Sequence, residues 1–165
     1  MEDGAIQETS TNKLRMFHRA VDIQFKDGTL LELTFQDGKV IQYDMAVLFT
    51  KYPQLCALKD RELFESGKLM GLGIIWNDDL DIETETIYEE GNVVRETKPV
   101  VGFVVGNAVA AARAKKGLSQ KELAEITGID QSDLSKIERG VANPSIGTLS
   151  RIAEAMDAEL MVSIN

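Results

Sequence analysis

Residues 113–156 read RAKKGLSQKELAEITGIDQSDLSKIERGVANPSIGTLSRIAEAM, and the punctuation of this stretch predicts a cluster of short helices. A first helical segment leads into it from about Val105 to Lys116, with Val105, Ala108, Val109 and Ala112 on one face and Gly117 as its stop. The second opens at Leu118. Ser119 is placed to cap it, Glu122 to reach back to the cap, and Leu118 and Leu123 stand at the two positions of a hydrophobic staple. Thr127 ends that segment, and Gly128 supplies a residue for a left-handed turn. The third repeats the device, with Asp130 as cap, Ile129 and Leu134 as staple and Gly140 after the last turn. The fourth starts at Ser145, after Asn143-Pro144, and turns Leu149, Ile152, Ala153 and Met156 inward. Two short helices joined by a three-residue turn, with small Ala124 allowing close approach, are the ingredients of a helix-turn-helix.

The whole stretch resembles the lambda-repressor and Cro-type family, also called the xenobiotic-response-element family, over about residues 104–157. GLSQ-ELA, the turn glycine, LSKIERG and NPS all fall in register. The resemblance implies an all-α DNA-binding unit whose third helix enters the major groove of a double-stranded operator. Carried over position by position, it implies that Ser119 and Gln120 begin the helix that docks on the sugar-phosphate backbone, where free N–H groups favour an anion. Gln131, Ser132, Ser135 and Lys136 match the outward positions of the recognition helix. Their chemistry suits that place, because Gln can bond adenine at two points, Lys can donate to guanine and Ser serves several bases. Two readings are open for Asp133: it accepts from cytosine N4, or it helps cap the helix. Arg139 and Asn143 match phosphate-gripping positions, and Arg113 and Glu138 match a pair that ties the first helix to the third.

This sequence also departs from the pattern. Basic residues on the DNA face are few, chiefly Lys121, Lys136 and Arg139, so one copy should bind weakly and lose affinity quickly with salt. A homodimer is therefore expected, spanning half-sites about 34 Å apart. Gly147 lies inside the fourth helix, and Asp157 stands where many relatives carry Gly. The tail, Glu159 to Asn165, alternates like a strand, with Leu160, Val162 and Ile164 on one side; it either pairs across a dimer or lies on its own unit.

Upstream, FKDGTLLELT and FQDGKVIQYD form a ten-residue echo from Phe25, in which Phe, Asp and Gly coincide. Asp-Gly supplies the backbone of a tight hairpin, and the flanking runs 21–25, 30–35 and 40–43 alternate, so three antiparallel strands in a β-meander are predicted. Met45 to Leu58 has helical spacing divided by Pro53, Arg61 to Phe64 adds a turn, and 73–82 reads as a further hairpin. The layout resembles a small family of bacterial domains of unknown function, some of which precede a DNA-binding module. The chain is thus expected to be α+β: a small β-meander unit with short helices over 15–90, a linker over 91–99, and a helix-turn-helix unit with a C-terminal strand over 100–165.

Composition bounds the chemistry. The 165 residues carry 18 Lys plus Arg against 27 Asp plus Glu, and the acidity is uneven. Residues 1–104 hold 11 basic and 19 acidic side chains, net −8, whereas 105–165 hold 7 and 8, net −1. The back unit can therefore still meet a polyanion, and the acidic front unit is suited to a protein partner. The acids Asp78, Asp79, Asp81, Glu83 and Glu85 do not make a calcium loop, because Thr84 stands where the EF-hand pattern needs Gly, and a solvated strand face is expected instead. One Cys and one His exclude an internal disulfide and a Cys/His zinc set. Cys56, beside Leu55, Ala57 and Leu58, reads as a small core residue rather than a nucleophile paired with His18, and Trp76 and Tyr88 read as core. The longest nearly apolar run, 100–112, is too short to cross a bilayer, and the first residues lack the positive start and apolar core of an export signal, so a cytoplasmic location is expected.

No catalytic constellation, metal set or cofactor motif accompanies these features, and an enzyme is not expected. The leading reading is a dimeric, sequence-specific transcriptional regulator; the alternative is an antitoxin that binds a toxin and represses its own promoter.

Overall fold

The structure, a computed structural model, describes residues 17–165. The N-terminal stretch read above for export, and the first two residues of the 15–90 unit, lie outside the described residues.

The ten-residue echo folds as its Asp-Gly pairs dictate. Strands β1 (Ala20–Phe25), β2 (Leu30–Phe35) and β3 (Lys39–Asp44) pair antiparallel, and the two turns place Gly28 and Gly38 at φ +66° and +93°. The alternation sends Leu31, Leu33, Phe35, Ile41 and Tyr43 to one buried face, with Leu31 opposite Tyr43 and Leu33 opposite Ile41. Two short 3-10 helices form, Met45–Leu48 and Pro53–Lys59, the second opened by Pro53, and α1 (Arg61–Glu65) follows with Asp60 accepting from Leu63 N at 2.8 Å. A second sheet, β4 (Lys68–Met70), β5 (Gly73–Asn77) and β6 (Leu80–Glu83), contains the predicted hairpin. Phe64, Ile74, Trp76 and Ile87 join the first sheet's apolar face in one core, and Trp76 Nε1 donates to Phe64 O at 2.8 Å.

Four expectations are corrected. The acidic run is not one strand face: Asp81 lies on β6, but helix α2 (Thr84–Glu90) begins at buried Thr84, whose N–H and hydroxyl both donate to Leu72 O, and Glu85 belongs to that helix. Cys56 is only half-buried, on a 3-10 helix whose inward residues are Leu55 and Leu58. Residues 91–99 are not a free linker, since β7 (Asn92–Glu96) completes the first sheet in the order β1-β2-β3-β7. Its pairing is a main-chain matter that requires no apolar alternation, and Arg95 reaches across the sheet to Glu32 at 3.0 Å. Finally, 159–165 form no strand within the chain, and Met161 and Ile164 are 84% and 95% exposed. Residues 159–165 make no main-chain hydrogen bond to another described segment, so the alternating pattern has no strand partner here.

The back unit is a four-helix cluster: α3 (Val101–Lys116), α4 (Gln120–Thr127), α5 (Gln131–Glu138) and α6 (Ile146–Ala155) around Val109, Leu123, Leu134, Ile137, Ile152 and Met156. Helix α3 starts four residues before the predicted Val105, and the added turn carries Gly102. A Cβ there would lie 2.9 Å from Gly140 O, and one on Gly106 would collide with the carbonyls of Ile137 and Glu138, so glycine at both positions lets α3 lie against the end of α5.

Candidate nucleic-acid interface

Helix α4 starts on a complete capping box. Glu122 N donates to Ser119 Oγ at 3.1 Å, and Ser119 N donates to Glu122 Oε2 at 2.7 Å. The bond from the Ser119 N–H holds the Glu122 carboxyl below the usual carboxylate range. Gln120 is half-buried and its Nε2 donates to Glu138 Oε2 at 2.9 Å, so one amide hydrogen serves the fold and the other is left over. Lys121 is exposed beside them.

The turn follows Thr127, whose buried hydroxyl donates to Leu123 O at 2.7 Å, and passes through Gly128 at φ +69°. Asp130 occupies the cap position of α5 but makes no side-chain cap bond; its main-chain oxygen accepts from Asp133 N and Leu134 N instead. The expected Asp130 cap is therefore only a backbone one.

Along α5 the helical period separates two faces. Leu134 and Ile137 are buried in the core, while Gln131, Ser132 and Lys136 are exposed and Ser135 is half-buried. Asp133 neither caps nor stands alone. It accepts from Lys136 Nζ at 2.9 Å, one turn along the exposed face, and so offsets the charge of the one lysine there. Arg139 and Asn143, both exposed, lie beyond the end of α5, and Arg139 Nε donates to Ser135 O at 3.2 Å, leaving its terminal guanidinium nitrogens outward. A cleft of about 380 Å³ between the turn and α6 is lined by Asp130, Asp133, Asn143, Thr148 and Arg151.

Behind this face lies a buried clamp. Arg113 Nε meets Glu138 Oε1 at 2.6 Å, Nη2 meets Oε2 at 2.9 Å, and Nη1 donates to Leu118 O at 2.8 Å. Its bonds to Glu138 push the Arg113 pKa up. Helices α3 and α4 are thus both tied to α5 at one carboxylate, through Arg113 and Gln120 on Glu138.

A family described as Helix-turn-helix, HTH_3, matches residues 109–161, and one described as a protein of unknown function (DUF2442) matches 20–92. The HTH-type transcriptional regulator y4dJ of Sinorhizobium fredii is 42% identical over 53 residues, covering 32% of this chain and 69% of that relative. The chain belongs to the helix-turn-helix family. SlrR of Bacillus subtilis, an HTH-type transcriptional regulator, is 40% identical over 34% of this chain and 38% of its own length. With y4dL of Sinorhizobium fredii the shared part is 27% of the relative, so the chain spans well under half of these two regulators. Among solved structures, the clp gene regulator ClgR from Corynebacterium glutamicum is 30% identical over 40% of this chain and 85% of that one, with a TM-score of 0.39. The helix-turn-helix match takes in α4, α5, α6 and the second half of α3; the first half, with Gly102 and Gly106, precedes it. Sequence reasoning passed over those two glycines and Gln36. An i, i+4 glycine pair inside an otherwise good helix was the one available sign of a close backbone approach.

Proposed function

We propose that this chain is a sequence-specific DNA-binding transcriptional regulator that inserts α5 into the major groove and acts as a dimer. The observation that carries this is the exposed ridge Gln131, Ser132 and Lys136, backed by buried Leu134 and Ile137 and bearing donors that suit base edges. Ser119, Gln120, Lys121, Arg139 and Asn143 flank the ridge and contribute phosphate contacts, while Arg113 and Glu138 hold the helices in register. Few cations and the Lys136–Asp133 pair make the contact of one copy weak. Two copies supply the rest, joined through their C-terminal tails. Residues 159–165 expose an alternating apolar edge and, among the described residues, make no main-chain hydrogen bond to another segment.

Selection of duplexes by the full chain from a random pool tests this reading. Enrichment of paired half-sites about one helical turn apart is expected. Retention of the pool with no motif enriched would overturn it. The acidic front unit, net −8 over residues 1–104, favours a second reading as an antitoxin, which requires a basic protein to co-purify in stoichiometric amount.

A further inference from the structure

We propose that Gln36, in the turn between β2 and β3, is a positioning residue for Arg139 and the loop that follows it. Through this residue the front unit would set how that loop meets a phosphate. The inference rests on the reading of Arg139 as a phosphate contact.

Gln36 is polar yet only 4% exposed, and three of its polar groups each meet a different segment. Its N–H donates to Arg19 O at 2.9 Å, its carbonyl accepts from Val100 N at 2.9 Å, and its Nε2 donates to Arg139 O at 3.5 Å. The last bond crosses from the front unit to the residue just past the recognition helix. A buried amide is costly without a partner, and this long 3.5 Å contact is what turns the Gln36 side chain toward Arg139 O. Two residues on, Gly38 O accepts from both the N–H and the hydroxyl of Thr97, at 2.7 and 3.0 Å, so the chain leading into α3 is laced to the same turn.

On its other side the Arg139–Gly140 step is closed off by α3. A Cβ on Gly140, at φ +70°, would lie 2.7 Å from the N and Cα atoms of Phe103. The peptide is pinched between the β2–β3 turn and α3, while the Arg139 side chain stays exposed. The turn is itself braced. Asp37 Oδ2 accepts from the Tyr88 hydroxyl at 2.6 Å, Lys39 Nζ donates to that hydroxyl at 2.8 Å, and the Tyr88 ring stacks on His18 with centroids 3.5 Å apart. The braced turn therefore abuts a main-chain atom of Arg139, whose side chain is exposed and bonded through Nε to Ser135 O. That geometry orients a contact rather than making one.

Gln36→Met, which keeps the volume and removes the donor, and Arg139→Ala test the proposal in the full chain. Without DNA, amide hydrogen exchange at Val141 and Ala142, both bonded to Lys136 O, should be several-fold faster in Gln36→Met, with Leu123 and Ile152 unchanged. Unchanged exchange at 141–142, or equal acceleration throughout, overturns the proposal. With a selected duplex, the slope of log affinity against log salt should become shallower by about 1 in Arg139→Ala, and part of that loss should appear in Gln36→Met. Gln36→Met should add nothing in the Arg139→Ala background; additive effects overturn the proposal. Faster exchange in a chain that binds no duplex would uphold the coupling while removing the reading of Arg139 beneath it.

Discussion

Arg113 and Glu138 form a two-point ion pair across α3 and α5, with side chains only 10% and 6% exposed and Gln120 Nε2 as a third group on the same carboxylate. Removing one partner of such a pair leaves the other charge buried without its counter-charge. Arg113→Met or Glu138→Leu should therefore each cost about 3–5 kcal/mol in denaturant unfolding of the helical unit. A cost below about 1 kcal/mol would show that the clamp does not hold α5.

Two glycines within helices should respond to alanine with opposite sign. Gly147 has only Ser145 Oγ, at 3.8 Å, near its missing Cβ, so Gly147→Ala should stabilise by roughly 0.5–1 kcal/mol. Gly106→Ala carries the same intrinsic gain but drives a methyl into the carbonyls of Ile137 and Glu138, and should destabilise by about 1–3 kcal/mol. Thermal unfolding of both variants distinguishes the cases; a stabilised Gly106→Ala would contradict the close approach of α3 and α5.

Alkaline pH should unfold the front unit through three groups. Burial, then the bond to Glu90, pushes the Tyr43 hydroxyl well above its ordinary 10.0; burial, then the bond to Asp37, raises Tyr88; and the bond to the Tyr88 oxygen raises Lys39 above 10.5. Each keeps its proton longer in the folded chain than in the unfolded one. Stability is thus intact below about pH 10 and falls as pH rises beyond it. A Tyr43→Phe, Tyr88→Phe chain should start from lower stability, having lost the bonds to Glu90, Asp37 and Lys39, yet lose less between pH 9 and 12. An alkaline slope equal to wild type would contradict this account.

Deleting residues 159–165 should convert a dimer to a monomer in sedimentation velocity while leaving the circular dichroism of the helices unchanged, since no core residue lies in the tail. A truncated chain that remains dimeric would place the dimer interface elsewhere.

What could be read from the sequence followed from how much local chemistry each element carries. The Asp-Gly turns at 27–28 and 37–38 and the capping box at Ser119–Glu122 carry their own signals, and the structure forms them where those residues stand. Helix α2 offers only Ile87 and Tyr88 as apolar residues in a run of acids, so its period was hidden by its composition. Strand β7 is exposed along its whole length and is specified by the unpaired edge of β3, information that lies fifty residues away in the chain. The candidate interface was legible in the same uneven way. The outward set on α5 follows from the inward Leu134 and Ile137, but the partners of Gln120 and Asp133 depend on tertiary placement. The reach of Gln36 to Arg139 spans 103 residues and had no local sign at all.

The most direct test of the account is competition binding by the full chain carrying Gln131→Ala and Lys136→Ala, measured between a selected operator and unrelated duplexes. Each lost base contact should flatten selectivity by about 1–3 kcal/mol, with nonspecific affinity nearly preserved. Full selectivity in the double variant would show that α5 does not read the bases.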